Sequence, residues 1–160
     1  MTEPGTWVLL SYRMPREPST PRIAVWRTLK RLGAAQLGDG LVALPADART
    51  REHLEWVADE VAEHGGEAII WLARPASLGP QRQLAARMAA ARAQEYAAVR
   101  AEAEAAAAGE PDGRPAVLRR LRGELRRIGR RDYFPPPERD QAHAAVAALA
   151  TATHPSRESS

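Results

Sequence analysis

The chain has 160 residues, 44% of them hydrophobic and 27% charged, which suffices for a packed core but not for two full-sized domains. Cysteine is absent, so disulfides, thiolate metal centres and reduction of a substrate by the protein's own thiols are all excluded. The net charge of +3 is unevenly spread: residues 49–113 are acidic, whereas residues 114–131 hold eight arginines against the single acid Glu124. Lys30 is the one lysine, a bias that high genomic GC content would produce by itself. Aromatics are only 5%, so the four tryptophans and the lone Phe134 are expected to carry the bulky packing. No segment approaches the roughly 20 apolar residues of a membrane span, and the MTEPGTW start lacks a signal-peptide pattern. A cytoplasmic protein is expected.

Trp7 to Tyr12 is rich in β-forming residues and too short for a helix. Pro15, Pro18 and Pro21 then forbid a long helix until about residue 21. Val25, Trp26, Leu29 and Leu32 next recur on one side of a helix, with Arg27, Lys30 and Arg31 on the other. Gly33 stops it, and Asp39-Gly40 between Gln36-Leu37 and Leu41 to Leu44 is a two-residue hairpin signal. Arg49 to His64 reads as a second helix with a stripe of Leu54, Val57, Ala58 and Val61, ended by Gly65-Gly66. Glu67 to Ala73 is a fourth strand, and Ile69 to Leu72, apolar on both faces, predicts a central position. The order βαββαβ is that of a ferredoxin-like α+β core.

Beyond Arg74-Pro75 the composition turns helical. Pro80 to about Ala108 is Ala-rich, with Leu84, Met88, Ala91 and Val99 near one face. Gly109 to Gly113 breaks it; Pro115 to Gly129 repeats Leu118, Leu121, Leu125 and Ile128 as a helix seated on a partner; a last helix runs from about Pro137 to Ala152. The expected organisation is a ferredoxin-like sandwich over 1–75, a helical extension over 76–153 and a disordered tail over 154–160.

Several motifs fall in one order: Met14-Pro15; Trp26-Arg27-Thr28-Leu29-Lys30-Arg31-Leu32-Gly33-Ala34-Ala35; Leu37-Gly38-Asp39-Gly40; Val42-Ala43-Leu44-Pro45; Gly65-Gly66-Glu67-Ala68; Glu95-Tyr96; and Asp132-Tyr133-Phe134-Pro135. Together they resemble the N-terminal domain of the ChrB-type chromate-resistance regulators. The resemblance implies a non-enzymatic regulator that senses chromate and controls transcription. Family regulators usually continue into a second domain, whereas this chain stops soon after the Asp132 to Pro135 corner and its last helix. A stand-alone N-terminal half is therefore expected, and the alternative is a module that pairs with a separately encoded other half without touching DNA. A homodimer is also expected, because ferredoxin-like sheets often pair. The opening strand further resembles the small CRISPR-associated spacer-acquisition nuclease and the middle domain of phenylacetate-pathway repressors. Where that nuclease holds a metal with an Asp, this chain reads Ser11-Tyr12-Arg13, so nuclease activity is not expected.

Two constellations are candidates for binding. Arg119, Arg122, Arg126, Arg127, Arg130 and Arg131 form a basic helix able to contact DNA or another polyanion through phosphates. Its competing readings are a solvated face and pairing with the acidic segment 49–113. Arg13, Arg16, Arg22, Arg27, Lys30 and Arg31 surround a loop opening onto a helix N-terminus, where chromate or another tetrahedral oxyanion could bind. Its competing reading is scattered surface arginines. Glu95, inside an apolar stripe, is expected to pair with an arginine across the helices. Trp56 faces outward and is expected either beneath the added helices or at a dimer surface; Phe134 is expected to plug the core. The four histidines share no metal-ligand spacing, and no phosphate loop, nucleophile elbow or metal motif occurs. No cofactor is expected, and no helix-turn-helix signature is evident.

Overall fold

The computed structural model describes residues 5–155, so residues 156–160 of the expected disordered tail lie outside the described residues. The chain divides into two compact units, Met1–Ala85 and Ala86–Ser160.

The first unit is α+β. Its elements are β1 (Trp7–Arg13), α1 (Thr20–Arg31), β2 (Ala35–Gly38), β3 (Leu41–Pro45), α2 (Ala48–Glu63) and β4 (Glu67–Ala73). The four strands form one antiparallel sheet in the order β2-β3-β1-β4. Period-two alternation puts Val8 and Leu10 on one face of β1, where they oppose Leu44 and Val42 of β3, and all four are buried. Packed on β1 and β4, α2 buries Leu54, Val57 and Val61, and beside it α1 buries Val25 and Leu29. The start of α2 is fixed by a capping box in which the Thr50 N–H donates to Asp47 Oδ1 at 2.7 Å and the Asp47 N–H to Thr50 Oγ1 at 3.0 Å. Thr50 Oγ1 also donates to the Pro45 carbonyl at 2.6 Å, tying the helix start to the end of β3.

Two glycines are demanded by close approach. Gly40, at φ +68°, turns β2 into β3, and its carbonyl accepts the Tyr12 N–H at 2.8 Å. At Gly66 a Cβ would lie 2.5 Å from the Arg13 carbonyl oxygen and 2.7 Å from Val61 Cγ1. The GG pair thus lets α2 turn back closely enough for β4 to pair along the whole of β1.

Two expectations are corrected here. β4 is an edge strand, hydrogen-bonded only to β1, and Ile69, Trp71 and Leu72 are 54%, 50% and 56% exposed. An apolar run signals strand but does not distinguish an edge from a centre. The tryptophans do not act together as core either. Trp7 is buried, whereas Trp26, Trp56 and Trp71 are 46%, 60% and 50% exposed.

The second unit is helical. The long α3 (Leu78–Ala108) starts in the first unit and runs into the second, followed by a 3-10 turn (Pro111–Gly113), α4 (Arg114–Arg130) and α5 (Glu138–Thr153). Tyr96, Val99 and Ala103 of α3, the four-residue stripe Leu118, Leu121, Leu125 and Ile128 of α4, and Ala142, Val146 and Leu149 of α5 make one core. The α4 stripe is where its spacing put it. On α3, Met88 and Val99 are buried as expected, but Ala91 is exposed, and Tyr96 fills the inward position instead. Phe134 is buried. Arg114 closes the α3–α4 link by donating to the carbonyls of Ala106 (3.1 Å), Ala107 (2.9 Å) and Gly109 (2.9 Å) at the end of the helix, where the Ala106 carbonyl also accepts the Gly109 N–H at 3.3 Å. Among the described residues no helix is long and apolar enough to cross a membrane.

Candidate functional site

The end of β1, the loop after it, the first two turns of α1 and the β2–β3 turn enclose a cleft of about 820 Å³ in the first unit. It gathers four of the six cations expected around this loop: Arg13, Arg16, Arg22 and Arg27. The other two engage side chains of α1 itself. Lys30 places its Nζ over the Trp26 ring, 4.3 Å from the centroid, and Arg31 donates to Thr28 Oγ1 at 3.0 Å. Trp26 and Ile23, both about half exposed, line the cleft together with Tyr12 and Met14. Burial pushes the Tyr12 phenol above its ordinary pKa, and the Arg22 charge partly offsets this. Across the cleft, Gln36 and Asp39 come from the β2–β3 hairpin. Ser19, the N-cap of α1, makes no side-chain hydrogen bond to the helix; its carbonyl takes the Ile23 N–H at 3.1 Å, Pro21 has no N–H, and the Thr20 and Arg22 N–H groups are not claimed by a side-chain cap.

Residue identity in this cleft was only partly legible. The cations stand out in sequence, but Trp26 reads as core because it neighbours Val25 and Leu29 in the stripe. At 100° per residue it lies at the edge of that stripe, and the turn of α1 carries it into the cleft. Asp39 and Gln36 arrive from a hairpin whose distance in sequence hides their position.

The basic helix α4 divides along its length into paired and unpaired arginines. Arg120 donates to Glu102 Oε2 of α3 at 2.5 Å, and Arg127 to Glu124 Oε2 at 2.7 Å. Arg131, just past the helix, turns inward: it donates to Glu95 Oε2 at 2.9 Å and to the Arg127 carbonyl at 3.1 Å. Glu95 also faces Arg92 of its own helix at 3.2 Å, so the charge expected to pair across the helices does so with Arg131 and pairs along α3 with Arg92. Pairing with the acidic segment is thus real for Arg120 and Arg131. Arg119, Arg122, Arg126 and Arg130 are exposed, and among the described residues none of them has an acidic partner in ion-pair range. Arg122 and Arg126 line a groove of about 370 Å³ with Arg139 and His143 of α5, two residues that the sequence did not single out. A residue-spacing argument within α4 alone could not have found them.

In the same unit, the Tyr96 O–H donates to Asp132 Oδ2 at 2.8 Å. Burial first and the Asp132 carboxylate second push the Tyr96 pKa far up, with Arg139 opposing. Among the described residues no group of three His, Asp or Glu side chains is placed to hold a metal ion.

A family model described as "Protein ChrB, N-terminal" matches residues 22–110, from α1 to just beyond α3. Protein ChrB of Cupriavidus metallidurans is 32% identical over 136 residues, covering 81% of this chain and 40% of its own length. The chain thus spans about two fifths of that relative. No solved structure matches. With more than half of its residues inside the family match, the chain belongs to the ChrB N-terminal family.

Proposed function

We propose that the chain is a chromate-linked transcriptional regulatory domain, acting in the cytoplasm without catalysis, that contacts DNA through α4. Family membership supports the chromate and regulatory part of this reading. The observation carrying the DNA part is the row of Arg119, Arg122, Arg126 and Arg130, left exposed and without acids after their neighbours have paired. Four free guanidinium forks on one helix suit phosphate contacts, which supply affinity and orientation without reading bases. A ferredoxin-like plan for the first unit belongs to the same reading, supported by the βαββαβ order and the β2-β3-β1-β4 sheet.

Fluorescence anisotropy across a salt series, with the chain's own upstream duplex and a scrambled one, tests it. Binding is expected to weaken with salt and to be released by chromate. Arg126→Glu with Arg130→Glu is expected to abolish it at physiological salt and to lower the slope of log affinity against log salt by about 2. Absence of binding at low salt, or affinity indifferent to the two reversals, would sink the DNA reading.

A second reading has its own observation: the unpaired β4 edge with Ile69, Trp71 and Leu72 exposed. The occupant it suits is a separate chain supplying the length that the relative has and this chain does not match. Sedimentation of the chain with the unmatched remainder of the Cupriavidus protein checks this. A complex lost on Trp71→Lys supports pairing, and two independent species reject it.

A further inference from the structure

We infer that the cleft between β1, α1 and the β2–β3 turn is a nucleotide site, with a base laid against Trp26 and the phosphates held by the arginines around it. The inference goes beyond the reading of α4 and concerns the other unit.

Size is the first argument. A cleft of about 820 Å³ lies in the range of roughly 300–1,000 Å³ that organic ligands occupy, and a bare four-oxygen anion would leave most of it to water. The walls are the second. Four guanidiniums share the cleft with Tyr12, Met14, Ile23 and Trp26. A small dianion has no use for that apolar surface, whereas a base can stack on an indole and a phosphate can take a guanidinium fork. Ile23 and Trp26 are 45% and 46% exposed while Val25 and Leu29 are buried, so the core is not what places them.

Asp39 supplies the third argument. Its carboxylate lines the same cleft, where it opposes a bare dianion but can accept hydrogen bonds from sugar hydroxyls or an exocyclic amine. The arginines are exposed, and exposed charges are screened by salt, so charge alone would hold chromate weakly. A ligand that adds stacking to charge is the better fit. In the first turn of α1 the Thr20 and Arg22 N–H groups are further donors to phosphate, Pro21 having none and the Ile23 N–H going to the Ser19 carbonyl at 3.1 Å.

Free nucleotide and single-stranded nucleic acid present the same base and phosphate, and titration calorimetry separates them. The probes are ATP, oligo(dT), inorganic phosphate and chromate, each added to the full chain. ATP or oligo(dT) is expected to bind at least about tenfold more tightly than phosphate or chromate. ATP as the tighter of the two assigns a free nucleotide, and oligo(dT) as the tighter assigns a strand. Trp26→Ala is expected to lose about tenfold, Trp26→Phe to retain most of the affinity, and Arg22→Glu to lose at least about tenfold. Trp26 is half exposed, so neither change empties the core. Arg126→Glu with Arg130→Glu, which tests α4, is expected to leave ATP affinity unchanged, so the two readings fail independently. Chromate or phosphate binding as tightly as both nucleotide probes, no binding by either probe, or indifference to Trp26→Ala would overturn the inference.

Discussion

Tyr96 carries a hydroxyl into a fully buried position on α3 and donates a hydrogen bond to Asp132. Its folded pKa is raised, so the stability it contributes is present below the unfolded value of about 10 and declines as pH rises past it. The folded protein keeps a proton that the unfolded chain releases. Thermal unfolding is therefore expected to become easier above about pH 10, with a slope near 1.4 kcal/mol per pH unit from this group. Tyr96→Phe removes that share of the slope and, at neutral pH, costs about 1–2 kcal/mol by leaving Asp132 without its donor. Tyr12 shifts in the same direction, and Tyr12→Phe measured alongside separates the two contributions. Neither tyrosine was legible as a tuned group. A sequence shows a phenol, but the carboxylate that meets Tyr96 lies 36 residues away.

Arg114 and Gly66 act at the scale of elements. Arg114 takes three carbonyls at the end of α3, so Arg114→Ala is expected to cost about 1–2 kcal/mol in denaturant unfolding and to fray that end in hydrogen exchange. Gly66→Ala drives a methyl into the Arg13 carbonyl and Val61, and is expected to cost about 2–3 kcal/mol by the same measurement. Both follow from turns that the sequence marked clearly: the Gly109 to Gly113 breaker and the Gly65-Gly66 stop. Element type and order were legible throughout, because hydrophobic period switches between two and 3.6 at those breaks. Position within the sheet was not. Strand β4 reads as central because its run is apolar on both sides, yet an edge strand can carry the same run when part of it stays exposed. On α4 the period placed the leucines correctly, but which arginines stay free was decided by Glu124 on the helix itself and by the distant Glu95 and Glu102 of α3.

Over the whole chain, large aromatic surface concentrates at the outside of the first unit. Trp26, Trp56 and Trp71 are exposed and Trp7 is buried, so acrylamide is expected to quench most of the tryptophan emission and leave a protected component from Trp7. A uniformly protected emission would contradict these exposures. The two arginine-bearing surfaces fall in different units: the unpaired arginines of α4 lie in the second, and the Trp26 cleft with its four arginines in the first. The family match covers the α1 side of that cleft, including Arg22, Ile23, Trp26 and Arg27, and stops before α4.

One further consequence follows from where Lys30 rests. It is the single lysine, and its ammonium lies on the Trp26 indole at the rim of the cleft. Side-chain amine chemistry on this protein is therefore single-site chemistry. Acylation or reductive methylation reaches no side chain but Lys30, and once the α-amino group is blocked an amine-reactive fluorophore on Lys30 would report on the rim of that cleft without any engineered cysteine.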